Sequence, residues 1–226
     1  MKNRTVEHLW NVLICLGLVS LVGFFSMLFT MMLFISQENN GHRYTRIDVF
    51  AICLFCVLAA FILLRLSEGL DLFFFDLKFL TKRNLQIMLA ASASLLFVSG
   101  LETILLKQGL LVPQMLDPEL ILFFDKIPLL IVVLFTSILT PIMEEVVFRG
   151  GIIGLVFKEH KLLGVLISGV LYCVLMGPAT PLYSGIYLLM NGILGLSYIK
   201  TQRLIVPMLI HIVTGLLASL LTVFLL

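Results

Sequence analysis

The chain has 226 residues, 61% of them hydrophobic and only 12% charged, with a mean hydropathy of +1.15. A soluble domain carries about a quarter charged residues, so this composition excludes one and points to a polytopic membrane protein. The net charge of +2 gives no basis for a nucleic-acid partner.

Apolar runs of about 20 residues are needed to cross a bilayer as helix. The first runs from Trp10 to Ser36 behind Lys2 and Arg4, too long for a signal peptide and without a small-residue cleavage site. The second covers Val49 to Leu66 after a polar loop. A mixed stretch, Ser67 to Asn84, carries the patch Leu72-Phe-Phe-Phe75, which reads as an interfacial amphipathic segment. The third span is Leu85 to Leu106. The fourth extends from Pro128 to Phe157, long enough to require a tilt or a kink, and Pro141 is the place for the kink. The fifth is Leu162 to Met176, ending at Gly177-Pro178. The sixth, Leu182 to Ile199, carries Gly185, Gly192 and Gly195, residues that let helices approach closely. The seventh runs from Leu204 to Leu226.

The fold class is therefore an all-α membrane bundle of about seven helices at the cell membrane. With the N-terminus inside, the inner segments hold Lys2, Arg4, Arg65, Lys78, Lys82, Arg83, Arg149, Lys158, Lys161, Lys200 and Arg203. The outer ones hold only Arg43, Arg46, Lys107 and Lys126, which is the bias expected of that orientation. Residues 1–127 form N-terminal helices and loops, and 128–226 a core that carries the chemistry. Cys15, Cys53, Cys56 and Cys173 all lie in apolar segments and read as packing residues, not as a disulfide framework.

The core is organised around Pro141-Ile-Met-Glu-Glu-Val-Val-Phe-Arg-Gly150. Ionisable groups at membrane depth are costly and mark functional sites. Glu145 and Arg149 are four apart and can pair on one helix face, while Glu144 points about 100° away. One acid is thus held by the guanidinium and the other is free for chemistry. A structural ion pair would account for Glu145 and Arg149 but leaves Glu144 unexplained. Counted from the turn near His160, Glu144 and Met176 fall at matching depth in an antiparallel hairpin, and His211 lies in the first half of the last span. A Glu, a position on the fifth span and a His can meet in one intramembrane cavity, an arrangement that suits a divalent metal such as zinc or a glutamate-activated water. Asn191 and Glu102 are further polar candidates.

Glu144-Glu145-Val-Val-Phe-Arg149 resembles the E-E-x-x-x-R signature of the CPBP family of intramembrane proteases. That family includes type II CAAX prenyl endopeptidases and the bacteriocin-processing or immunity proteins often termed Abi. The resemblance continues through Gly192-Ile-Leu-Gly-Leu-Ser-Tyr198 to Leu204-Ile-Val-Pro207-Met-Leu-Ile-His211. It implies that Glu144 activates water, that Glu145 and Arg149 support it, and that His211 binds the water or, with Glu144, a metal. It implies a substrate-binding role for Tyr172, Met176 and Asn191. Two positions depart from the family pattern. Tyr172-Cys-Val-Leu-Met176 ends in methionine where the family has histidine, and Gly215 stands where it has asparagine or aspartate. Methionine neither accepts a proton nor suits a zinc–water site.

Two functions follow as expectations. One is an endopeptidase cutting a membrane-proximal peptide. The other is a pseudo-protease that keeps the cavity and binds a partner, as in bacteriocin self-immunity. A transporter would call for inverted or parallel repeats, and the sequence shows none.

Overall fold

The computed structural model describes residues 4–39, 43–74, 76–111, 126–175 and 180–225. Seven long helices occupy these residues: α1 (Arg4–Asn39), α2 (Arg46–Gly69), α3 (Lys82–Lys107), α4 (Leu129–Val156), α5 (Lys161–Leu175), α6 (Pro181–Thr201) and α7 (Ile205–Leu225). α1, α2, α3, α4 and α6 are long and apolar enough to cross a membrane, and α5 is an apolar helix of 15 residues. The protein is a multi-pass helical membrane protein, as the hydropathy pattern predicts.

Local chemistry sets the helix ends. Thr45 and Asp48 form a reciprocal capping box at the start of α2. The Thr81 hydroxyl accepts from the Asn84 amide at the start of α3. Thr180 caps α6, whose first residue, Pro181, lacks the amide that would otherwise go unpaired. Gln202, in the left-handed region at φ 54°, stops α6.

α4 is the axis of the bundle. It is α-helical at Leu129–Leu134, widens to a π-helix at Phe135–Leu139, returns to α at Thr140–Glu144 and widens again over Glu145–Val156. The first widening lies immediately before Pro141. Proline cannot donate to the turn behind it, and an i→i+5 register is one way to absorb that loss. The kink expected at Pro141 is thus realised as a widened turn.

α1 packs along the second half of α4, α2 lies against its first half, and α7 against its first widened turn. α5 packs most extensively on α6, and α3 covers α6 and α7. One apolar core runs through all of these helices. Asn11 ties the start of α1 to the Leu155 carbonyl at 3.1 Å, and an ion pair joins Glu7 to Lys158 nearby.

Glycine permits close approach at fewer places than the sequence suggests. A β-carbon on Gly195 would sit 2.9 Å from Val165, but Gly185 and Gly192 have nothing within 4 Å. The tightest contacts involve Gly154 and Gly164 instead. The Leu72–Phe75 patch, expected to be an interfacial amphipathic segment, turns one side to the core. Leu72 packs into the core, Phe73 is buried, Phe74 is exposed, and Phe75 lies outside the described residues. All four cysteines are free thiols.

Candidate functional site

Glu144 and Glu145 straddle the point where α4 widens for the second time. Glu145 and Arg149 are both fully buried, with Arg149 Nη1 3.1 Å from Glu145 Oε1. Arg149 Nη2 donates to the Asn191 carbonyl on α6 at 3.2 Å. A buried charge pair is tolerable only with good partners, and here its satisfaction is incomplete. Glu145 Oε2, Arg149 Nε and Asn191 Oδ1 are buried without a hydrogen-bond partner among the described residues. Arg149 Nη1, although close to Glu145, is misaligned for a hydrogen bond.

His211 enters from α7 and stands between the two acids. Its Nδ1 is 3.0 Å from Glu145 Oε1, and its Nε2 is 3.9 Å from Glu144 Oε2. A carboxylate accepts, so Nδ1 carries a proton toward Glu145, and Nε2 faces Glu144. Glu145 pairs with Arg149, as their spacing predicts, and also with His211. His211 Nε2 lies near Glu144 as well. Tyr172, on α5, donates to Glu144 Oε1 at 3.4 Å. The Tyr172 ring is held edge-on by Phe148 and Tyr187, at centroid distances of 5.3 and 5.6 Å.

These groups surround a cavity of about 130 Å³, lined by Glu144, Arg149, Tyr172, Asn191 and His211 among others. It has room for water, and its polar walls offer the partners a water needs. Glu144 also borders a second, apolar hollow of about 400 Å³ between α1 and α4, with Val22, Met143 and Val147 in its wall. The one acid therefore borders two hollows, and the smaller one also gathers Arg149, Tyr172, Asn191 and His211.

The structure brings together Glu144, Glu145, Arg149, Tyr172, Asn191 and His211 as the sequence predicts. Met176 lies outside the described residues. Glu102 does not line the cavity. Gly215 does line it, and a β-carbon there would meet Ser137 of the first widened turn at 3.6 Å. Thr214 does not stand in for the missing side chain. Its hydroxyl donates back to the Ile210 and His211 carbonyls, at 2.8 and 3.1 Å. Leu95 and Ser99 of α3 complete the wall. Neither carries a signal in sequence, since an apolar and a small residue on a lipid-spanning helix look like any others.

A catalytic zinc takes three protein ligands and a water. No group of three His, Cys, Asp or Glu suited to a metal occurs among the described residues. Glu144 and His211 offer two donors, and Glu145 Oε1 is already engaged by Arg149 and His211. The described donor set is one short of a zinc site.

Residues 126–217 match the model of a family described as type II CAAX prenyl endopeptidase Rce1-like. The chain is also 34% identical over 102 residues to the membrane-embedded CAAX protease MroQ of Staphylococcus aureus (strain USA300). That alignment covers 41% of this chain and 39% of the relative, so the chain spans about two fifths of the relative's length. No solved structure matches. The matched segment contains the two glutamates, the arginine and the histidine that meet at the cavity. Residues 126–217, under half of the chain, are thus similar to the Rce1-like family of CAAX prenyl endopeptidases.

Proposed function

We propose that the chain is an intramembrane endopeptidase that cuts a membrane-proximal peptide with a water activated by Glu144. The observation that carries this reading is the position of His211 between two acids at the edge of a polar cavity. Glu145 accepts from Nδ1 and fixes the imidazole. Nε2 and Glu144 then face one another across 3.9 Å, a gap at which a water can be bound by both. Glu144 takes a proton as the water oxygen attacks the scissile carbonyl carbon. The same carboxyl returns that proton to the leaving nitrogen as the C–N bond breaks. Arg149 and the Asn191 side chain lie in the wall where the developing oxyanion can be met. The apolar hollow beside Glu144 suits a hydrophobic side chain of the peptide.

The test is cleavage of membrane-associated peptides by the purified protein in lipid. Glu144→Gln keeps the size and hydrogen bonding of the side chain but removes the base, so it abolishes turnover. Wild-type rates in that variant would dispose of the reading.

A second reading, a non-catalytic binder such as a bacteriocin-immunity protein, is favoured by one observation. Gly215 offers no side chain to the cavity and Thr214 is bonded to its own helix. Protection that survives Glu144→Ala would establish this alternative.

A further inference from the structure

The seam between α3 and α6 holds a groove of about 570 Å³ that neighbours the cavity, through the adjacent pairs Ser94–Leu95 and Ile193–Leu194. Ala91 and Ser94 of α3 and Ile193 and Ser197 of α6 line the groove. Leu95 and Leu194, one turn on or beside them, line the cavity and are themselves buried. These two leucines form the partition between the compartments. At its outer end the groove is bounded by Arg83 and Lys200, both exposed, where the Arg83 guanidinium donates to the Lys200 carbonyl at 3.4 Å.

The cations on this side of the protein fall into two groups, and Arg83 and Lys200 share with Lys78, Lys82 and Lys161 the lack of a carboxylate partner among the described residues. Arg65 pairs with Glu68, Lys158 with Glu7 and Arg203 with Asp76. Arg83 lies in the first turn of α3 and Lys200 in the last turn of α6, so the two helix-end dipoles oppose one another there and the side-chain charges set the sign. An apolar trough that ends in unneutralised positive charge and neighbours the candidate catalytic cavity has a definite complement.

We propose that this seam binds the substrate: an extended apolar peptide whose acidic residue is held by Arg83 and Lys200 at the membrane surface. The proposal rests on the endopeptidase reading and adds a register to it. Lys200 and Asn191 are nine residues apart on α6, about 14 Å along the axis. An extended chain covers that length in about four residues at about 3.3 Å each. The acidic residue therefore lies about four residues from the bond that is cut.

Binding and cleavage separate the two ideas. The full chain carrying Glu144→Gln, in phosphatidylcholine nanodiscs, is titrated with a fluorescein-labelled apolar peptide ending in two aspartates. A matched peptide ending in two asparagines is the control. The aspartate peptide binds about tenfold more tightly, and high salt narrows the difference. The Arg83→Gln/Lys200→Gln double variant removes the preference, and Arg83→Lys keeps most of it. Equal binding of the two peptides, or a preference untouched by the double variant, overturns the proposal. So does a preference that disappears when phosphatidylglycerol is added to the disc, since the cations would then be a lipid-headgroup site. Wild-type protein is assayed in parallel on cleavable peptides with the aspartate placed at successive distances. Aspartate-dependent binding without cleavage by any of them removes the endopeptidase reading and leaves the seam. Cleavage indifferent to the aspartate removes the seam and leaves the endopeptidase.

Discussion

His211 Nδ1 sits 3.0 Å from Glu145 Oε1, the same oxygen that lies 3.1 Å from Arg149. One buried carboxylate oxygen thus joins the imidazole of α7 to the guanidinium of α4, and Arg149 carries the link to the α6 backbone. Glu145 is in this sense the positioning residue for three helices.

Removing one member of a buried pair strands the other. Glu145→Ala leaves Arg149 and His211 without their anion and lowers stability by about 3–5 kcal/mol. The double variant Glu145→Leu/Arg149→Met recovers part of that loss, because the guanidinium leaves with its partner and only the His211 Nδ1 group stays unpaired. Thermal unfolding in lipid checks the stability. Cleavage does not return in the double variant, as His211 is no longer oriented.

Tyr172 touches Glu144 through a long hydrogen bond of 3.4 Å. Tyr172→Phe keeps both ring contacts and removes only that bond, at about 0.5–1.5 kcal/mol. Turnover falls several-fold while unfolding shifts by no more than that amount. A loss as large as that of Glu144→Gln would mean that Tyr172 acts on the reacting atoms directly.

The cavity accepts a longer side chain at 215. A β-carbon there makes only ordinary contact with Ser137, so Gly215→Asn folds. It supplies a donor where the sequence has none, and an oxyanion donor changes rate by about 10²–10³-fold. Gly215→Asn combined with Met176→His raises cleavage above wild type. Met176→His also adds a third donor type for zinc, so metal content after dialysis rises in that variant if positions 144, 176 and 211 share a site.

Helix approach is tested at the glycines. Gly164→Ala puts a β-carbon 2.8 Å from Phe157 Cβ and 3.3 Å from the Ile153 backbone, which costs about 1–3 kcal/mol. Gly192→Ala meets nothing within 4 Å and is neutral or slightly stabilising, by up to about 1 kcal/mol. Unfolding curves of the two variants order them.

The helices were legible because lipid demands long apolar runs and little else competes with that signal. Glu144, Glu145, Arg149 and His211 were legible for the complementary reason, that charge at such depth needs a purpose. The pairing of His211 with Glu145 was not. An ideal helix turns Glu144 and Glu145 toward different neighbours, and the widening of α4 behind Pro141 has no residue code beyond the proline itself. The contribution of Leu95 and Ser99 was hidden because helix-to-helix pairing in lipid depends on shape, which hydropathy does not record. Phe73 turned inward for the same reason: a patch of aromatics reads alike whether it meets headgroups or a core.

Gly154, Gly164 and Gly195 leave no slack where α4, α5 and α6 meet, so that corner behaves as a hinge post. α3 meets α6 through larger side chains: Val98 shares a buried cluster with Tyr183 and Ile186, and Leu95 and Leu194 close the chamber beside it. A way in has to be made away from the glycine corner, at the expense of those apolar contacts.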